Sequence, residues 1–239
     1  MATLLFAVLQ ALAQDTIKAD KGDLTVVPIE HATFVMKWNG KTVFVDPTKG
    51  GDAFKEHGRP DLILVTDIHS DHFDPKTLAA VRASDAVLIV PAAVADKMGA
   101  DKGAAKVLAN GEKARVGDIE VEAVPMYNLT PERKNLHTKG RGNGYVLTMG
   151  GKRIYISGDT EDIPEMRELK NIDAAFVCMN LPYTMDVDHA ADAVLGFKPR
   201  IVYPYHYRGK EQMSDVEQFK KQVHAKDPSI EVRFLKWYK

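Results

Sequence analysis

Four side chains able to bind a metal crowd into six positions, Asp67-Ile68-His69-Ser70-Asp71-His72. They follow the apolar run Leu62-Ile63-Leu64-Val65-Thr66, the pattern of a buried strand. Asp67 and His69, two apart on an extended segment, project to the same side, while Asp71 and His72 can turn back as the loop enters a helix begun at Pro75. Neutral imidazoles beside carboxylates suit zinc or a similar divalent ion, because both bind such ions at short range and the carboxylates offset its charge. The plain alternative is a polar turn closing a strand, and ligands this dense argue against it. One ion or a pair would bring the pKa of bound water towards neutrality, give hydroxide as nucleophile without a strong base, and polarise a carbonyl or phosphoryl oxygen. Asp71 is expected to orient that water. Tyr183, in Asn180-Leu181-Pro182-Tyr183-Thr184, is a candidate donor to the developing oxyanion, although a tyrosine packed beside proline needs no function. No G-x-S-x-G element and no phosphate-binding glycine loop is present, so serine-nucleophile and nucleotide chemistry lack their usual signals.

Positioning these groups requires strands that end at them. Leu24 to Ile29 and Thr33 to Trp38 lead through Asn39-Gly40 into Lys41 to Val45, and Gly144 to Met149 leads through Gly150-Gly151 into Lys152 to Ser157. Both read as hairpins, since these turn residues tolerate the positive φ that two-residue turns need. Gly40 to Asp46 resembles the stretch from Gly151 to Asp159, each hairpin delivering an aspartate, which suggests an internal duplication of two β-rich halves. Further strands are expected at Ala86 to Val90, Ala174 to Cys178 and Ile201 to Tyr205, with helices at Pro75 to Arg82, Ala92 to Lys97, Pro164 to Leu169 and Val187 to Leu195. Ser214 and Glu217 have capping-box spacing for a last helix. Two packed sheets with helices outside are the natural assembly, an α/β fold in one domain over 24–239.

The segment Asp67 to His72 resembles the H-x-H-x-D-H signature of the metallo-β-lactamase superfamily, with Asp67 in place of the first histidine. Gly158-Asp159-Thr160 is similar to that family's strand-end aspartate, which bridges two metals, and Tyr203-Pro204-Tyr205-His206-Tyr207 to the strand that supplies the last histidine. Glu30-His31-Ala32-Thr33-Phe34 and Val45-Asp46-Pro47 resemble the branch that includes ascorbate-6-phosphate lactonase and N-acyl-phosphatidylethanolamine phospholipase D. The resemblance implies an αββα sandwich with metal ligands Asp67, His69, Asp71, His72, Asp159 and His206. The family usually adds a histidine from the segment before the second hairpin. Asn128 stands nearest that position, and His137, carried by the Lys139-Gly140-Arg141-Gly142 loop, is the better donor. His31 resembles a residue close to the metals, and Asp46 is expected to support the Asp67 to His72 loop. His57, His189 and His224 read as surface residues. A carboxylate at Asp67 adds charge and hardness, so either Mn²⁺ or Fe²⁺ should compete with zinc at the first site, or that site binds weakly and one metal is held by Asp71, His72, Asp159 and His206.

The 239 residues carry 32 Lys and Arg against 33 Asp and Glu, a balance that gives no electrostatic reason for a nucleic-acid partner. A small-molecule substrate carrying an ester, lactone or phosphodiester is expected. Residues 1–13 read as a signal peptide ending at Ala11-Leu12-Ala13, implying export to a periplasmic location, the alternative being an N-terminal helix packed on the domain of a cytoplasmic protein, and no other stretch is long and apolar enough to span a membrane. Cys178 lies in an apolar run and reads as a buried structural thiol. The competing functions are a metal- or ligand-binding protein without turnover and a di-iron redox enzyme.

Overall fold

The computed structural model describes residues 12–238, so the expected signal peptide falls almost wholly outside the described residues. Among these residues, fourteen strands form two seven-stranded sheets. The first sheet contains β1 (Asp15–Ile17), β2 (Leu24–Glu30), β3 (Thr33–Trp38), β4 (Lys41–Val45), β5 (Leu62–Leu64), β6 (Val87–Val90) and β7 (Lys106–Val107). The second contains β8 (Lys113–Val116), β9 (Ile119–Met126), β10 (Gly142–Met149), β11 (Lys152–Ile156), β12 (Ala174–Cys178), β13 (Ile201–Tyr205) and β14 (Glu231–Val232). Strands lie in sequence order in both sheets, each with four antiparallel strands followed by three added in parallel. The duplicated hairpins are thus part of two matching half-molecules.

Period-two patterning decides which faces meet. Phe34, Met36, Val43 and Val45 join Val121, Ala123, Tyr145, Leu147, Ile154 and Phe176 in the core that includes both sheets. The intervening Val35, Phe44, Ile63 and Val65 pack with Leu78 and Val94 of the helices α1 (Pro75–Val81) and α2 (Ala92–Lys97). Each fully buried side chain of this size contributes about 1.5–3 kcal/mol over an exposed one. Helices α3 (Pro164–Arg167), α4 (Val187–Phe197) and α5 (Val216–Lys226) follow the strands of the second sheet. Phe197 of α4 meets the ring of Tyr155 edge-on.

The sheets also touch directly where the ligand-bearing loop begins. Asn143 N–H donates to the Thr66 carbonyl at 2.9 Å, and the Tyr145 hydroxyl to the Val65 carbonyl at 2.9 Å. This approach excludes side chains: a Cβ on Gly142 would lie 2.8 Å from the Thr66 carbonyl oxygen.

One capping expectation is overturned. Asp215, not Ser214, caps α5 by accepting from Gln218 N–H at 2.9 Å. The Ser214 hydroxyl instead donates to the carbonyl of Met179, a tertiary acceptor that outcompetes the local one. None of the helices among the described residues is long and apolar enough to cross a membrane.

Candidate metal centre

Strand β5 ends at Leu64, and the following loop is shaped by Asp46, which sits just beyond β4. Its Oδ1 accepts from Thr66 N–H and its Oδ2 from the Thr66 hydroxyl, each at 2.7 Å. His72 Nδ1 lies 2.8 Å from the same Oδ2, which holds the ring with Nε2 facing inward. Asp46 thus takes the supporting place read from sequence. Three strand-end residues, His31, Asp46 and His206, have φ of 60°, 45° and 47°, a left-handed conformation uncommon for non-glycine residues. These turns aim side chains from neighbouring strand ends into one space.

Seven of the expected residues converge there in two clusters, and His31 forms a third group with Asp71 and His206 beside the second. In the first, Asp67 Oδ2 is 2.8 Å from His69 Nδ1 and 3.9 Å from His137 Nε2. In the second, His72 Nε2 and His206 Nε2 approach to 3.0 Å, and each lies 3.3 Å from an oxygen of Asp159. Asp71 Oδ2 is 3.4 Å from His206 Nε2. Asp159 joins the clusters, because its Oδ2 is also 3.0 Å from His137 Nε2.

Of the two candidates left open by the sequence, His137 reaches the centre and Asn128 stands behind it. The Asn128 amide lies 3.1 Å from His137 Nδ1 and donates to the carbonyls of Arg133 and Tyr183. The carrying loop is tied down by Glu161, which accepts from Leu129 and Thr130 N–H and pairs with Arg133. Burial pushes the Glu161 carboxyl up, yet the hydrogen bonds from Thr130, Arg133 and Leu129 hold it below the usual range.

The carboxylates of the centre are held ionised by the imidazoles around them. Burial would raise Asp159, but the charges of His206, His72 and His137 hold it well below the usual carboxylate range. Asp71 is held down likewise, burial being outweighed by hydrogen bonds with His206 and His31 and by the charge of His72. His137 Nε2 and Asp159 Oδ1 are buried and, despite ring-to-carboxylate approaches of 3.0 and 3.3 Å, neither has a well-directed hydrogen bond among the described residues. Such atoms are costly unless something satisfies them, and a bound divalent ion is what a nitrogen and a carboxylate oxygen in this setting would satisfy.

His31 is oriented by a residue that sequence reading missed. The Tyr238 hydroxyl accepts from the backbone N–H groups of Tyr207 and Arg208, at 3.2 and 3.1 Å, so its own hydrogen is free for His31 Nδ1 at 2.8 Å. His31 Nε2 then carries the hydrogen and faces Asp71 Oδ2 at 3.3 Å. The imidazole orients a carboxylate and presents no lone pair to an ion. Burial, reinforced by the charges of His206 and His72, lowers its pKa to about 4 despite Asp71. Arg141 was also missed: it forks onto Asp67, with Nε 3.2 Å from Oδ1 and Nη2 2.9 Å from Oδ2. The sequence signal for it was a buried carboxylate in need of a cation, with the arginine already inside the glycine-rich loop.

The clusters open onto a cavity of about 480 Å³ lined by His31, His69, Asp71, His137 and Asp159, with Tyr183, Lys49 and Arg208 on its walls. Tyr183 is partly exposed and therefore available to a ligand. His189 and the lone Cys178 stand apart from the cavity lining, the first pairing with Asp186 near the surface and the second fully buried. His224 bonds the Ile230 carbonyl instead of reaching the centre.

Two sheets of matching order with histidines and aspartates at their facing strand ends define a metallo-β-lactamase fold, and residues 25–206 match the beta-lactamase superfamily domain. The chain belongs to that superfamily and is a metal-dependent hydrolase. It is 33% identical over 212 residues to a UPF0173 metal-dependent hydrolase of Pyrococcus furiosus, covering 82% of this chain and 90% of the relative. A candidate metal-dependent hydrolase from Parabacteroides distasonis superposes with a TM-score of 0.85 at 39% identity, covering 95% of this chain and all of that one. The diiron β-hydroxylase CmlA of Streptomyces venezuelae shares the fold, with a TM-score of 0.69 at 17% identity over 92% of this chain and 53% of its own.

Proposed function

We propose that this chain hydrolyses a small molecule carrying an ester, lactone or phosphodiester bond, using one or two divalent ions held by Asp67, His69, His137, Asp71, His72, Asp159 and His206. Zinc suits this set of nitrogen and carboxylate donors, and Mn²⁺ or Fe²⁺ is the alternative. The observation that carries the reading is the pair of orphaned buried atoms, His137 Nε2 and Asp159 Oδ1, within a shared array of imidazoles and carboxylates. A bound ion supplies Lewis acidity and lowers the pKa of water at the site.

The residues do the remaining work. Asp71, 38% exposed and facing the cavity, is held by His31 and His206 where its carboxylate can orient a water. Tyr183 lines the same cavity and can donate to an oxygen that gains charge in the reaction. Backing contacts on His72 and His31 fix ring orientation before substrate arrives, so that little reorganisation is left for the reaction.

The test is metal analysis of protein purified without added metal, followed by a panel of esters, lactones and phosphodiesters. The His206→Ala variant should lose bound ion and lower turnover by about a hundredfold or more, because the centre loses a ligand and charge stabilisation together. Full metal and full activity in His206→Ala would sink the assignment. Absence of turnover throughout the panel in loaded wild-type protein would favour a binding protein, and oxygen-dependent conversion with bound iron would favour the redox chemistry known on this fold.

A further inference from the structure

Asp67 is the residue at which this chain departs from the superfamily signature, and it is also the one backed by a cation. Arg141 meets it in a two-pronged ion pair, one bond to each carboxylate oxygen. The carboxylate is fully buried and the guanidinium only 18% exposed. The oxygen nearest His69 and His137, Oδ2, is the one that also takes the shorter bond from Arg141. Arg141 is not among the cavity-lining residues, so it backs the carboxylate and does not reach towards substrate. The second cluster has no such companion: among the described residues, Asp71 and Asp159 form ion pairs with histidines alone.

We propose that Asp67 and Arg141 act as one neutral unit in the place where the signature has a neutral imidazole, so that the first cluster binds divalent ions more weakly than the second. The proposal rests on the two-cluster reading above. A carboxylate engaged by a guanidinium on both oxygens donates less to an ion, and the fixed positive charge behind it repels that ion across a poorly screened interior. Arginine keeps its charge at every accessible pH, so the effect is permanent. Hardness at Asp67 alone would favour Mn²⁺ over zinc. The pair cancels the charge on which that preference depends, and the first cluster should be weak for both ions.

Calorimetric titration of the metal-free full chain with Zn²⁺, and separately with Mn²⁺, tests this when bound ions are counted by elemental analysis. Wild type should take one ion tightly and a second at least about tenfold more weakly. Arg141→Gln, which keeps a donor near Asp67 and removes the charge, should tighten the second ion about tenfold, while Arg141→Lys should leave it weak. If Arg141→Gln does not fold, the double variant Asp67→His with Arg141→Met removes both charges together and should likewise bind the second ion more tightly. Two equally tight ions in wild type, or no tightening in the charge-removing variant that folds, would overturn the proposal. His206→Ala separates the two readings: keeping the tight ion defeats the two-cluster reading itself, whereas losing it while Arg141→Gln changes nothing defeats only the pairing.

Discussion

The two clusters use the same side-chain types but are backed by opposite charge. Behind His72 stands the Asp46 carboxylate, whereas behind Asp67 stands the Arg141 guanidinium. A carboxylate behind an imidazole raises its basicity and fixes the nitrogen that faces inward, while a guanidinium behind a carboxylate drains it. Ligand identity therefore does not by itself set the strength of a site. The residues one contact further out divide a nearly symmetric fold into two unequal halves of a centre.

The largest expected effect breaks the comparison by removing what the clusters share. Asp159→Ala should lose both ions and lower turnover by about a hundredfold or more, while His137→Ala should lose only the weaker ion, as counted on dialysed protein. Loss of the tight ion in His137→Ala would mean that the clusters cannot be separated. Next comes the backing of the second cluster. Asp46→Asn keeps the shape but removes the charge, and ion affinity there should fall about tenfold to a hundredfold in chelator competition. An affinity equal to wild type would show that the backing charge is immaterial. The smallest effect sharpens the role of Asp71. Tyr238→Phe removes the hydroxyl that sets the His31 ring, and kcat should fall about tenfold or less with KM unchanged. A combined His31→Gln and Tyr238→Phe variant should be no slower than His31→Gln alone, and additive losses would break the proposed link through His31.

Much of this organisation was legible in the sequence because it is local. The run Leu62 to Thr66 ending in four ligands, and the two hairpins around Asn39-Gly40 and Gly150-Gly151, are patterns of a few residues. They reappear as β5 and as the pairs β3–β4 and β10–β11. The pair β8–β9 was missed, although Ile119, Val121 and Ala123, buried in the structure, alternate in sequence with Glu120 and Glu122. The backing contacts were not readable. Arg141 lies 74 positions from Asp67 and Tyr238 lies 207 from His31, so each meets its partner only when the chain has folded. The α5 cap shows the same limit at short range: Ser214 and Asp215 both have capping chemistry, and the choice depends on the distant Met179 carbonyl. His137 lay between these cases, since its type was suggestive but its inward placement depends on the remote Glu161 anchor.

Leu12 forms a parallel bridge with Leu235. Leu12 N–H donates to the Phe234 carbonyl at 2.9 Å and Lys236 N–H to the Leu12 carbonyl at 2.8 Å, so the two extremities of the described chain run side by side. In a version of the chain restricted to the described residues, a linker that turns back along this parallel bridge could join them, and a new opening could be placed in the stretch between β7 and β8, where the chain passes from one sheet to the other. Such a circular permutant would keep the strand order of each sheet, while the half bearing Asp159 and His206 would precede the half bearing Asp67 to His72.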